Sequence, residues 1–262
     1  MKVTVIGTGK VASNLIHILS DKNLLHTVYG RSQEKIDSAI GLKTNIQSSH
    51  SLDFRNNPSS VFLIAVSDRA IKEVASGLLL PPNAIVAHTS GTCTREDLLD
   101  PENTGVFYPL QSFTTSLPID FSSIPILIEG SNEWTEKNLI DLATHLSTSV
   151  QVTTAIDRQQ LHIAAVFASN FTNRMLHAAE QVLNQASLDI SLLRPLVELS
   201  ISNVFTTGSQ QSLTGPAQRQ DHATIQNHLE KLDATPELRT LYETLTNYIQ
   251  ASYIKKTATL KR

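Results

Sequence analysis

Apolar and polar positions follow two different rhythms along the 262-residue chain. In the first half, short apolar runs alternate with segments whose apolar residues recur every three or four positions. "KVTVIG" leads straight into "GTGKVASNLIHILSDKN", where Val11, Leu15, Ile18 and Leu19 share a helical face. "HTVYG" reads as a second strand. "SVFLIAV" (60–66) is almost continuously apolar, as expected of a strand covered on both faces of a parallel sheet. Ser67 is placed to cap the helix "DRAIKEVASGLLL", which "PPN" ends. "AIVAHTSG" (84–91), "GVFYPLQ" (105–111), "ILIEG" (126–130) and "VQVTT" are further strands, with the helix "NEWTEKNLIDLATHLS" before the last. Alternating strands and helices predict a doubly wound α/β sheet.

After Thr154 the strand rhythm stops. Asp157 with Gln160 three positions on forms a helix-start box, and helices are predicted over roughly 157–186, 190–207, 222–233 and 236–255. Gly208 ends the second and Pro236 starts the last. The expected domains are therefore an α/β domain over 1–154 and an all-α domain over 155–262.

The first of these helices is unusual in what it presents. Ile163, Ala164, Phe167, Ala168, Phe171, Met175 and Ala178 make a broad apolar face. His162, Ser169, Asn170, Asn173 and His177 fall within roughly 100° of one another opposite it. No formal charge lies between Gln159 and Asn173. A water-facing stripe normally carries Lys and Glu; neutral hydrogen-bonding groups suit a cleft, where each must find a partner.

Composition narrows the function classes. The net charge of −3 (21 basic, 24 acidic residues) gives no electrostatic case for nucleic acid or an anionic membrane as partner. The basic end "KKTATLKR" reads as a frayed tail. Cys93 is the single cysteine, which excludes a disulfide framework and a Cys-based zinc site. The nine His show no HxH or HxxxH pair, so no metal is expected. With no signal-like start and no apolar run near ~20 residues, a cytoplasmic protein is expected.

The opening strand runs into Gly7-Thr8-Gly9-Lys10-Val11-Ala12 and then a helix. Gly7 permits a tight turn, Gly9 lets the backbone approach a pyrophosphate, and the small Ala12 lets helix and strand pack closely. The phosphates would rest on the free N–H groups of the helix start. The second strand ends in Tyr29-Gly30-Arg31-Ser32, with no acid for a ribose diol. Arg31 can fork onto a 2′-phosphate and Ser32 can add a hydroxyl, which favours NADP over NAD; a solvated surface arginine is the alternative. Ligands of open α/β sheets lie outside the carboxyl ends of the strands. That rule brings Ala65, Val66 and Ser67 to the cofactor and Thr89, Ser90 and Gly91 to the nicotinamide and substrate, with Tyr108 and Gln111 nearby.

For proton transfer His162 is the leading general acid, with Asn170 and Asn173 orienting the substrate and Ser90 close to the reacting bond. His177 lies about four turns further along, too far to share one small substrate. His88, at a strand end, is a rival acid and otherwise a hydrogen-bonded structural residue. In "LTGPAQRQD", Thr214, Arg219 and Asp221 lie in a loop before a helix; Arg219 could clamp a substrate carboxylate, or pair with Asp221 in a surface salt bridge.

The glycine turn ending in Ala12, the strand ending "HTSG", and then "YPLQSF", "LHIAAVFASNFTN" and "LTGPAQRQD" together resemble a bacterial family of NADP oxidoreductases inferred from sequence. In that family a Rossmann-like domain precedes a helical C-terminal domain of unknown function. The architecture is similar to pyrroline-carboxylate reductase, the 3-hydroxyisobutyrate and phosphogluconate dehydrogenases, and the deazaflavin-dependent NADP oxidoreductases. The resemblance implies NADP(H), hydride transfer in an interdomain cleft, and a homodimer built through the helical domain. Two departures stand out: the family often has His in place of Tyr108 and Gly in place of Gln220. The β-hydroxyacid dehydrogenases also carry a Lys four residues before an Asn on the long helix, where this chain has Val166 before Asn170. The expected activity is hydride transfer between NADPH and a small carbonyl or imine. The alternatives are exchange with a deazaflavin-type carrier and a non-catalytic NADP-binding sensor or assembly subunit.

Overall fold

The computed structural model describes residues 1–43, 45–99, 102–114 and 119–259, those after 252 as helical backbone. It has two compact units, Met1–Phe171 and Thr172–Arg262.

The first unit is built on one eight-stranded sheet of order β3-β2-β1-β4-β5-β6-β7-β8. The strands are β1 (Val3–Ile6), β2 (Leu25–Tyr29), β3 (Gln47–Ser49), β4 (Val61–Ile64), β5 (Ile85–His88), β6 (Thr104–Pro109), β7 (Ile126–Gly130) and β8 (Val150–Val152). Because side chains alternate across a strand, the apolar runs feed two cores at once. Val3, Val5, Val61, Leu63, Ile85 and Ala87 pack on one face, beneath α1 (Lys10–Asp21), α2 (Gln33–Ile40) and α4 (Glu133–Thr144). Ile6, Phe62, Ile64 and Val86 pack on the other, against Ile71 of α3 (Asp68–Ser76) and Leu98. This is the doubly wound α/β sheet that the hydrophobic rhythm predicts.

Three details depart from that rhythm. β3 is three polar, largely exposed residues at the sheet edge and gives no apolar signal. β7 pairs with β6 antiparallel, Gly105 opposite Gly130 and Pro109 opposite Ile126, and β8 follows β7 in parallel. The helix start after β8 is capped three residues earlier than expected. Thr154, not Asp157, is the cap: its hydroxyl accepts from Asp157 N–H at 3.1 Å and donates to the Asp157 carboxylate at 2.9 Å.

The helix that follows is also not uniform. α5 (Ala155–Ala165) passes into a wide π turn over Val166–Phe171 before α6 (Thr172–Asn184) continues. A π turn inserts one extra residue, so positions beyond it fall back by about 100° relative to an unbroken α-helix. The single polar stripe drawn at 3.6 residues per turn is therefore broken between Ser169 and Asn173.

The second unit continues with α7 (Arg194–Thr207), α8 (Pro216–Arg219), α9 (His222–Lys231) and α10 (Pro236–Thr259). Gly208 (φ 90°) ends α7 and Pro236 opens α10, as the sequence predicts. Residues 260–262, the end of the basic tail, lie outside the described residues. No described helix is long and apolar enough to cross a membrane.

Candidate active site

A cleft of about 510 Å³ opens at the carboxyl ends of β1, β2 and β4. Gly7, Thr8, Gly9, Lys10 and Val11 form its floor, Gly30 and Arg31 one wall, and Ala65, Val66 and Ser67 another. Gly7 has φ +129°, and a Cβ there would lie 2.3 Å from the Ala65 carbonyl oxygen. Folding itself demands glycine at this position. Gly9 differs: its φ of −78° suits any residue, and an added Cβ would meet nothing within 4 Å. The space that residue leaves open is in the cleft, at the amino end of α1, whose first turn carries no acidic side chain and no side-chain cap. Ala12 is fully buried beneath it. Ser67 stands at the start of α3, but its hydroxyl makes no capping bond. Ser32 caps α2 by position, again without a hydroxyl bond. Tyr29, Leu52, Ala70, Glu73 and Val74 complete the lining. The last three share one face of α3 at three- and four-residue spacing, a signal available in the sequence and not used.

A second cluster lies where β5 and β6 end. His162, half-buried on α5, places Nδ1 3.0 Å from the Tyr108 hydroxyl. Gly91 lies directly beneath: a Cβ there would come within 2.6 Å of His162 Nδ1 and 2.8 Å of the Tyr108 ring. Burial, then the charge of Asp68, pushes the Tyr108 phenol above its usual value, so it stays a proton donor at neutral pH. Ser169, in the π turn, is 2.6 Å from the Ser112 hydroxyl, and Gln111 accepts from Ser112 N–H at 2.8 Å. Ser90 is buried, and its hydroxyl accepts from Thr92 and Cys93 N–H at 3.1 and 3.0 Å. Thr89 is also buried, its N–H donating to the Ile64 carbonyl. Asn170 is exposed.

Sequence reasoning passed over the residues that hold α5 in this place. Arg158 has no exposed surface, pairs with Glu129 of β7, and donates to the Cys93 carbonyl. Gln159 donates to the Thr92 carbonyl at 2.9 Å.

His88 is fully buried. Ser90 N–H donates to its Nδ1 at 3.2 Å, which leaves the proton on Nε2 facing the Thr94 carbonyl at 3.1 Å. Burial lowers its pKa from 6.5 to about 4. Between those values the unfolded chain takes up a proton that the folded chain refuses, so stability falls as pH drops from 6.5 towards 4. At 1.36 kcal/mol per unit the full effect is about 3 kcal/mol. Denaturant titrations of His88→Gln from pH 7 to 4.5 are expected to show an acid slope shallower than wild type by about 2 kcal/mol over that range. Equal slopes would show that His88 does not hold its neutral form.

In the second unit, Asn173 and Thr214 are exposed, and His177 lies 3.4 Å from Glu180. Asp221 caps α9, accepting from Thr224 N–H at 3.1 Å and Oγ1 at 2.8 Å; the backbone bond leads in lowering its pKa. Arg219, exposed at the end of α8, forms no ion pair with it. Gln220 between them has φ 55°, a left-handed conformation that glycine adopts without strain.

Residues 124–249 match a family model described as a domain of unknown function, DUF2520. No curated protein matches the chain. A solved structure from Bacteroides fragilis described as a "putative NADP oxidoreductase" is 31% identical, with a TM-score of 0.87 over 95% of this chain and 98% of that one. A reductive aminase from Aspergillus terreus, in complex with NADPH and ethyl-5-oxohexanoate, shares the fold at 13% identity (TM-score 0.73, covering 94% and 92%). So does a pyrroline-5-carboxylate reductase from Coxiella burnetii at 15% (TM-score 0.58, 95% and 98%). At that identity and over nearly the whole length of both chains, this chain belongs to the Bacteroides fragilis protein's family, a Rossmann-type α/β sheet followed by a helical C-terminal part.

Proposed function

We propose that the protein is an NADP(H)-dependent oxidoreductase acting on a small carbonyl or imine substrate. The observation that carries this reading is the open space at Gly9, a position where the fold alone would accept any residue and a bound pyrophosphate would not. Residues 1–154 hold the dinucleotide on this reading. The free N–H groups of α1 meet the pyrophosphate, Ser67 faces the ribose, and Arg31, which forms no ion pair among the described residues, meets the 2′-phosphate. When bound, NADPH supplies the hydride.

Residues 155–262 supply the substrate side. His162 delivers the proton to the oxygen or nitrogen of the reduced bond. Nδ1 is hydrogen-bonded to the Tyr108 hydroxyl, so Nε2 is left to give up the proton; as it does so, the Tyr108 O–H passes its own proton to Nδ1, keeping the imidazole neutral and leaving the charge on the phenol oxygen. Ser90 and Gly91 shape the ground beneath that pair; Thr89 and Gln111 flank it. Asn170 and Asn173 orient the substrate, and Arg219 with Thr214 binds a carboxylate where it has one, Asp221 fixing the start of α9 behind them. The protein acts as a homodimer through its helices: Phe167, Leu192, Leu196, Leu199 and Phe205 are all at least 60% exposed, more apolar surface than a monomer comfortably shows to water.

NADPH oxidation followed by absorbance, against a panel of keto acids, cyclic imines and deazaflavin carriers, tests the reading. His162→Ala is expected to lower kcat on the accepted substrate by about 100-fold or more. Unchanged turnover in that variant would remove His162 from the reaction. Tight NADPH binding without turnover of any acceptor would favour a sensor.

A further inference from the structure

His50, just past β3, bridges the segment that follows β2. Its Nδ1 lies 2.8 Å from the Gly30 carbonyl oxygen and its Nε2 2.8 Å from Gln33 Oε1. The orientation of Gln33 is fixed, because its Nε2 donates to Asp37 Oδ1 at 2.7 Å. Both ring nitrogens of His50 therefore face acceptors. A neutral imidazole has one N–H and can donate to one of them; an imidazolium donates to both. Gly30 N–H meanwhile donates to the Ser49 carbonyl at 3.2 Å, so this residue is gripped at both ends by the tip of β3. The charged residues of the elements around His50 are Arg31 ahead of α2 and Glu34, Lys35 and Asp37 on it. β3 carries none, and Asp53 beyond it is paired with Arg55.

We propose that His50 is a positioning residue for a phosphorylated coenzyme: as the imidazolium it holds Gly30–Arg31–Ser32 in register for a 2′-phosphate and adds a positive charge behind that segment. The preference for NADPH over NADH then weakens when His50 is replaced. This rests on the NADP reading of the same cleft.

The test is the Kd of NADPH and of NADH, by fluorescence titration of the full chain, for wild type and His50→Gln. The wild-type NADPH-to-NADH affinity ratio is expected to exceed the variant's by about fivefold, the size of one exposed charge interaction. Ratios within about twofold of each other overturn the role of His50 and leave the cofactor reading standing. Failure of the wild type to bind either coenzyme overturns both.

Discussion

Glu129→Ala is expected to lower the free energy of unfolding by about 3–5 kcal/mol, because it strands a guanidinium with no exposed surface. For a chain of this size that corresponds to a fall in Tm of about 10 °C. Arg158 is held by the Glu129 carboxylate and the Cys93 carbonyl, while its Nε finds no partner. The double variant Arg158→Met, Glu129→Leu removes both ions and is expected to recover most of the loss, since well-packed apolar groups often match a buried pair. Calorimetry of the two variants checks this. A Glu129→Ala protein within about 1 kcal/mol of wild type would show that water reaches the guanidinium.

Gly9→Asp is expected to leave the fold intact and weaken NADPH binding by about 100-fold or more. The backbone at Gly9 is extended and the side chain enters open space, so Tm should move by no more than about 2 °C. A carboxylate there faces the site where the coenzyme's own negative charge would rest, and like charges in contact cost several kcal/mol. Gly7→Ala is the counterpart. Its Cβ collides with the Ala65 carbonyl, and it should unfold at lower temperature whether or not coenzyme is present. Titration calorimetry beside thermal melts separates the two. A Gly9→Asp protein that binds NADPH as wild type does would sink the cofactor assignment.

Much of this was legible in the sequence, and the rest was hidden for identifiable reasons. Apolar rhythm reports burial, so β1, β4 and β5 and the helices on both faces could be read directly. Rhythm carries no direction: "ILIEG" looks the same whether β7 runs with β6 or against it. β3 buries too little to leave a trace. The π turn at Val166–Phe171 is invisible because helical spacing is counted at one fixed pitch. Arg158 looks like an ordinary solvated helix charge until its partners, Glu129 and Cys93, are brought to it from distant segments. His162 and Tyr108 could each be suspected from the chain, but their 3.0 Å contact belongs to the fold.

The reversal of β7 decides where the helical half begins. In a sheet running one way throughout, the last strand would release the chain beside the glycine turn, and the next helix would travel away from it. Here β7 and β8 run against β6, so the chain enters α5 below the ends of the parallel strands and α5 runs back towards them. Its eleven residues rise about 16 Å, close to the span of a five-residue strand. On the way Arg158 meets Glu129, level with the middle of β6, and His162 arrives a turn later at Tyr108 near its end. The antiparallel pair works as a ramp: one residue more or less in α5 would carry the imidazole past the phenol or leave it short.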